Sequence, residues 1–239
     1  MSRPLTAAAA LAACALVLAA AAAAANAPAD PARNIPLGLL PGSCRGAPRG
    51  AGCENASLRA LDGARAKLGL GPYQVPKDFV ALVPARQWLI LSDLDRLTYR
   101  LPPIGGLALA LDRVAKAGAL AHSDPDPLPL LRQLHNEASI GFASNWAGGQ
   151  PNALIAYYGW MYDDGYGGPN IDCSTPSGAG CWGHRHDILA FAQGGALVMG
   201  AAALGGANSY ALTIVDTTRP AWPYSYSWAR AKRDGAGSG

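Results

Sequence analysis

The residues of this 239-residue chain that could do chemistry are few and scattered. Two of its four histidines, His184 and His186, sit one residue apart in "CWGHRHDIL", directly after Cys181 and Trp182. His122 stands earlier, in "LAHSDPDP", and His135 lies in "RQLHNEAS" with Glu137 close behind it. Between these and the C-terminal histidines come Ser144 in "ASNWAGG" and Asp163-Asp164 at the end of "YYGWMYDDG". Two neutral imidazoles with one or two carboxylates suit a divalent ion such as zinc, or general acid–base work by a His–carboxylate pair. Each residue also has a plainer use. Asp163-Asp164-Gly165 is a turn sequence with Asx bonding, and Trp146, Tyr157, Tyr158, Trp160 and Tyr162 fill a core as readily as they line an apolar groove. His186 is expected to face solvent and His135 to lie on the surface. Ser144 lacks an activating elbow and reads as a hydrogen-bonding residue rather than a nucleophile. The chain contains no G-x-S-x-G, H-E-x-x-H or P-loop motif, so serine-hydrolase, zinc-protease and P-loop nucleotide readings lose their best support.

Several elements must bring these residues together. Over residues 55–70, Leu58, Leu61, Ala64 and Leu68 fall at helical spacing, with Gly69 and Gly71 to stop the helix. The proline-broken "GPYQVPKDFVALVP" reads as an extended connection. From Pro84 onward Trp88, Leu91, Leu94 and Leu97 predict a helix with Asp93, Arg96 and Arg100 on its wet face, ended by Pro102-Pro103. A second helix carries Leu107, Leu111, Val114, Gly118 and Ala121 on one side and stops near His122. A third is predicted over 130–138, and Asn152 is placed to cap a fourth that contains the aromatic run. Residues 197–203 and 209–216, separated by "LGGAN", read as a hairpin with Tyr210, Leu212 and Ile214 on one face. Helices first and strands last predict an α+β domain with helices packed on a small antiparallel sheet.

A composition of 50% hydrophobic and 15% charged residues excludes disorder for most of the chain and suits one globular domain with an extension. Arg3, an apolar run through Ala25 and the small residues Ala25, Asn26 and Ala27 predict an export signal over 1–25. Leu11-Ala12-Ala13-Cys14 also resembles a lipoprotein box, although the apolar run continues past Cys14 where a lipobox should end it. An uncleaved anchor of ~20 residues would be long enough to span a bilayer, but alanine is too weakly hydrophobic for a stable span. The mature chain is therefore expected to be secreted or associated with the cell envelope, without a membrane span. Loss of Arg3 with the signal takes the formal charge from +3 to +2, which gives no electrostatic argument for nucleic acid. Without Cys14 four cysteines remain, and in an exported chain these predict disulfides. Of the three connectivities we favour the local pairs Cys44–Cys53 and Cys173–Cys181, each worth ~2–3 kcal/mol on the chain-entropy model. Their spacings miss the tight Cys-x2–4-Cys of structural zinc sites. Residues 26–84 read as a linker and partly helical N-terminal extension, and the basic tail over 221–239 as a frayed, solvated end.

The order of these pieces resembles the CAP superfamily of cysteine-rich secretory proteins, antigen 5 and pathogenesis-related 1 proteins, in the form of its bacterial members. The resemblance rests on "DLDRLTYRLPPI" (93–104), "AHS" (121–123), "SNWAGG" (144–149), "WMYD" (160–163) and "GHRHDIL" (183–189), and covers roughly residues 85–220. The disulfide loop before the last motif is similar to that of eukaryotic members. The resemblance implies a three-layer α-β-α sandwich with a central cleft of two histidines and two acids. Residue by residue these fall on His122, His184 and Asp163, with Ser144 standing where the first acid belongs and Glu137 the nearest substitute acid, seven residues earlier. With Ser144 in that place the site loses a charge and a strong ligand. The expected function is binding through this His-containing cleft, to an extracellular protein, a lipid-like ligand or a divalent ion held by His122 and His184, with no cofactor required. A metal-assisted or acid–base hydrolase of protease type is the competing class, and a structural envelope protein the third.

Overall fold

A computed structural model describes residues 28–133, 139–218 and 222–237; the expected export signal, His135 and Glu137 lie outside the described residues. Eight helices and five strands follow in chain order among them: α1 (Ser43–Gly46), α2 (Ala51–Lys67), α3 (Pro84–Thr98), β1 (Gly106–Leu107), α4 (Leu109–Ala121), α5 (Leu128–Leu131), β2 (Ser139–Gly148), α6 (Ala153–Tyr162), α7 (Gly183–Ile188), β3 (Ala196–Leu204), β4 (Ser209–Thr217), β5 (Tyr226–Ser227) and α8 (Trp228–Arg233). The sheet order is β2-β4-β3-β1-β5. The pairings are antiparallel except β1 with β3, which run parallel. The sheet is thus mixed, larger than the hairpin read from the sequence.

Strand alternation sorts the core into two layers around this sheet. Val198 and Val215 pack with Ala108, Leu111 and Leu131 on the α4 face. Leu197, Met199, Tyr210, Leu212 and Ile214 pack on the other face with Trp88, Ile90, Tyr157, Trp160 and Ile188, from α3, α6 and α7. Helix α4 lies so close to β3 that a Cβ at Gly200 would run into the Leu111 backbone. Among the described residues no helix is long and apolar enough to cross a membrane.

Several expectations meet a different outcome. In α3 the expected faces hold in part: Trp88 and Leu91 are buried and Arg100 exposed, but Asp93 and Arg96 are fully buried and Leu97 is 44% exposed. Asp93 Oδ1 accepts the Ile104 backbone N–H at 2.6 Å. Arg96 donates to the carbonyls of Pro102, Ile188 and Ala190. These charges are inside because they satisfy loop backbone that would otherwise be unpaired. Leu107 belongs to β1, and the buried face of α4 is Leu111, Ala115, Gly118 and Ala119. The third helix, read over 130–138, is Leu128–Leu131, and residues 134–138 lie outside the described residues. The extended connection contains a 3-10 turn, Phe79–Ala81. Residues of the extension are not a loose leader: Ile35, Leu61, Ala64, Tyr73 and Phe79 share the large core. The described tail, residues 222–237, is not frayed: Trp228 and Ala231 join that core and the Gly237 N–H donates to Gln74 O.

Candidate functional site

A cavity of about 500 Å³ opens where the edge strand β2 meets the ends of α4, α6 and α7. His122, Trp146, Trp160, Asp163 and His184 line it, so three of the four aligned cleft residues share one wall system. Each is delivered by a local feature. His122 caps α4 in the left-handed conformation (φ 56°), a region histidine enters more readily than most side chains. Its ring meets Trp146 edge-on at 5.8 Å. Asn152 caps α6 by accepting the Ile155 N–H at 3.0 Å, and the helix runs to its C-terminal Asp163.

Asp164, the next residue, organises the centre. One carboxylate oxygen lies 2.6 Å from His184 Nδ1 and the other accepts the His184 backbone N–H at 3.0 Å. A carboxylate there also suits the first turn of α7. The Asp164 carbonyl accepts the Trp182 N–H and the Asn170 side chain, tying in the loop closed by Cys173–Cys181. That disulfide and Cys44–Cys53 are the pairs present. Trp182 is buried beside its loop. His186 is exposed and points away, its Nε2 2.8 Å from Asp30.

The charges around His184 are mutually adjusted. Burial opposes its protonation, but the Asp164 hydrogen bond and charge, with Asp124 and Asp187, outweigh burial and raise its pKa. Burial raises Asp164 despite the His184 contacts. Asp187 is pushed up to about 7 by burial, against the pull of His184 and with the push of Asp124. Burial likewise raises Asp124, opposed by the charge of His184 and a hydrogen bond from the Trp146 backbone. Asp163 is raised by burial and by Asp164.

Ser144 lies elsewhere. It pairs with Thr213 across β2 and β4, and its Oγ donates to Thr213 Oγ1 at 2.9 Å; alternation from Val215 puts both on the α4 side of the sheet. Its neighbour Asn145 takes the opposite face, where Nδ2 donates to His184 O at 2.8 Å. Ser144 is not among the residues lining the cavity. Sequence reasoning underweighted Asp164 as a turn residue and passed over Asp124 and Asp187, whose available signal was their closeness in sequence to His122 and His184. Residues 178–183 have the spacing G-x-G-x-x-G. They follow the disulfide loop rather than a strand and lead into the six-residue α7, which is not the dinucleotide-binding context. As the side chains stand, no three His, Cys, Asp or Glu among the described residues converge to hold a metal ion. The Asp164 contact occupies His184 Nδ1 and leaves Nε2 as the nitrogen that could meet a ligand or an ion.

No family model matches the chain, and no curated protein matches it. Among solved structures, a cysteine-rich secretory protein from Staphylococcus aureus aligns with a TM-score of 0.38 at 16% identity. The alignment covers 56% of this chain and 38% of that one, so the chain spans well under half of its neighbour's length.

Proposed function

We propose that this chain is an exported, CAP-like domain that acts by binding, and that its cleft takes a ligand with a positively charged group on an apolar body. The observation that carries this reading is the lining of the cavity. Asp124, Asp163, Asp164 and Asp172 contribute four carboxylates and Trp146, Trp160 and Ile171 an apolar wall, while no Lys or Arg among the described residues lines it. The chain as a whole has a formal charge of +3, so the sign of the cleft is local. Low-dielectric walls lined by one sign of charge concentrate ligands of the opposite sign, and an aromatic face adds cation–π attraction.

The test is calorimetric titration of the full chain with hexylamine, hexanol and hexanoate, repeated on Asp124→Asn and Trp146→Ala. The ammonium should bind tightest, with affinity falling about tenfold in Asp124→Asn. Equal binding of the three probes, or binding indifferent to both substitutions, would overturn the reading. Zinc belongs in the same series: saturable binding lost in both His122→Ala and His184→Ala would point to a divalent ion instead. A second reading, acid–base hydrolysis, draws on the Asp164–His184 pair, in which a buried carboxylate orients an imidazole. It requires turnover of peptide or ester substrates that His184→Ala abolishes without unfolding the chain.

A further inference from the structure

The segment that precedes the first helix touches both elements that carry the cleft's central pair. Ile35 N–H donates to Tyr162 O at 2.8 Å and Ile35 O accepts the Tyr158 hydroxyl at 2.9 Å, fixing the segment along the last turn of α6. Asn34 then enters the turn that follows Asp164. Its Oδ1 accepts the Gly165 N–H at 2.7 Å, and its Nδ2 donates to Gly165 O at 3.1 Å and Tyr166 O at 2.9 Å. Glycine makes room for this: a Cβ on Gly165 would stand 2.8 Å from both Asn34 Oδ1 and the Trp182 ring. Four residues earlier Asp30 reaches α7, 2.8 Å from His186 Nε2 and 3.9 Å from the buried Arg185 Nε. One end of the segment thus holds the loop of Asp164 and the other holds the helix of His184.

We infer that residues 30–35 are a strap that positions Asp164 against His184, with Asn34 as its main positioning residue, so that seating of the strap regulates whether the cleft is assembled. The inference deepens the binding reading above and rests on it for its functional meaning. Apart from Pro31 and Ile35 the strap is exposed or half-buried, and it has no helix or strand of its own. Ile35 stays seated in the large core. Segments held by few apolar contacts open at less cost than the core, so residues 30–34 can leave while Ile35 and the sheet stay in place, and the Asp164 turn then loses three hydrogen bonds.

The test needs no ligand. In the isotope-labelled full chain, His184 ring titration and amide exchange are followed by NMR in Asn34→Ala, Asn34→Asp and Asp30→Asn. Asn34→Ala should let the Gly165 and His184 amides exchange at least about tenfold faster with the Leu212 amide in β4 unchanged. The His184 pKa should fall toward the ordinary imidazole value of about 6.5. Asn34→Asp keeps the acceptor for Gly165 N–H and loses both donors, so it should fall between the two. Asp30→Asn removes only the half-exposed contact to α7 and keeps the question open to measurement if Asn34→Ala does not fold; it should shift His184 in the same direction by less. An unmoved His184 titration and unmoved His184 exchange in the folded variants would overturn the strap. Cleft binding in those variants at wild-type affinity would leave the binding reading intact while the strap fails. Conversely, no probe binding to wild type sinks that reading and leaves the His184 result to stand alone.

Discussion

Asp95 and Asp164 are both nearly sealed from solvent, at 1% and 2% exposure, yet their surroundings are built to opposite ends. Asp95 is closed on all sides. The Arg65 guanidinium pairs with one oxygen, and the hydroxyls of Tyr73 and Tyr157 donate to the other at 2.6 and 2.8 Å. Tyr162 backs Tyr73 at 2.6 Å, and Arg65 also donates to Gly71 O and Thr98 Oγ1. Every partner is another piece of core, drawn from α2, α3, α6 and the segment around Tyr73. Asp164 has one side-chain partner, His184, its other bonds come from the backbone N–H groups of His184 and Arg185, and it borders the cavity beside Asp163. A buried network closed by core side chains fixes one packing arrangement, whereas a pair that borders a cavity can exchange partners. The first region is therefore expected to hold the fold and the second to respond to ligand and pH.

The largest effect should come from breaking the closed network. Asp95→Ala strands a buried guanidinium and two buried hydroxyls, and loss of one partner of a buried pair costs about 3–5 kcal/mol. Urea unfolding of wild type and variant measures it. A loss below about 1 kcal/mol would mean that the extension is fastened by its apolar contacts alone, and the contrast with Asp164 would fall.

Glu54, on the same helix as Arg65, sharpens the comparison because it is buried without such a cation. Its pKa is pushed up to about 7 by burial, opposed by the Gln87 amide at 3.4 Å. The folded state holds this proton more tightly than the unfolded chain. Its contribution is fully present below about pH 4.5 and is lost as pH rises through about 7. Glu54→Gln should flatten that dependence and stabilise the protein on the order of 2–3 kcal/mol at pH 8 relative to wild type. Unfolding free energies from pH 4 to 9 give the answer; parallel curves would mean Glu54 finds a partner or water when charged.

In the open region the effect on stability should be smaller and the effect on titration larger. Asp164→Asn removes the charge that raises His184, so the imidazole should titrate lower, with about 1 kcal/mol lost from the fold. Because the folded His184 value is raised, its contribution is complete below the ordinary imidazole pKa and disappears as pH climbs through the raised value. The wild-type advantage should thus be greater at pH 6 than at pH 9. An advantage that grows with pH would show that burial, not Asp164, governs His184.

Much of the fold was legible because periodicity reports burial. The helix around Trp88, the Asn152 cap and the strands through Leu212 and Ile214 follow from spacing and capping alone. Asp93 and Arg96 were assigned to the wrong face for a physical reason: spacing counts a charge as wet, while these two are buried to satisfy distant backbone at Ile104, Ile188 and Ala190. The same blindness hid Asn34 and Asp164, whose partners lie far away in sequence or across a turn. The local cysteine pairs followed from an even count and short spacings. His122, Asp163 and His184 line one cavity, while the companion acids Asp124, Asp164 and Asp187 needed the fold.

The smallest effect on the cleft is expected at Ser144, and it bears on which face of the sheet carries function. Its hydroxyl serves Thr213 on the α4 side, away from His184, so Ser144→Ala should cost about 1 kcal/mol and leave both the His184 titration and ammonium binding unchanged. Ser144→Glu is the stricter variant. If β2 keeps its register, the new carboxylate is buried against Thr213 and Val215 with no cation to meet it, and the protein should lose stability without gaining affinity for a cation or zinc. Tighter zinc binding in a folded Ser144→Glu chain would instead mean that position 144 can reach the cleft, that β2 changes its facing there, and that the two regions contrasted above share more than a sheet between them.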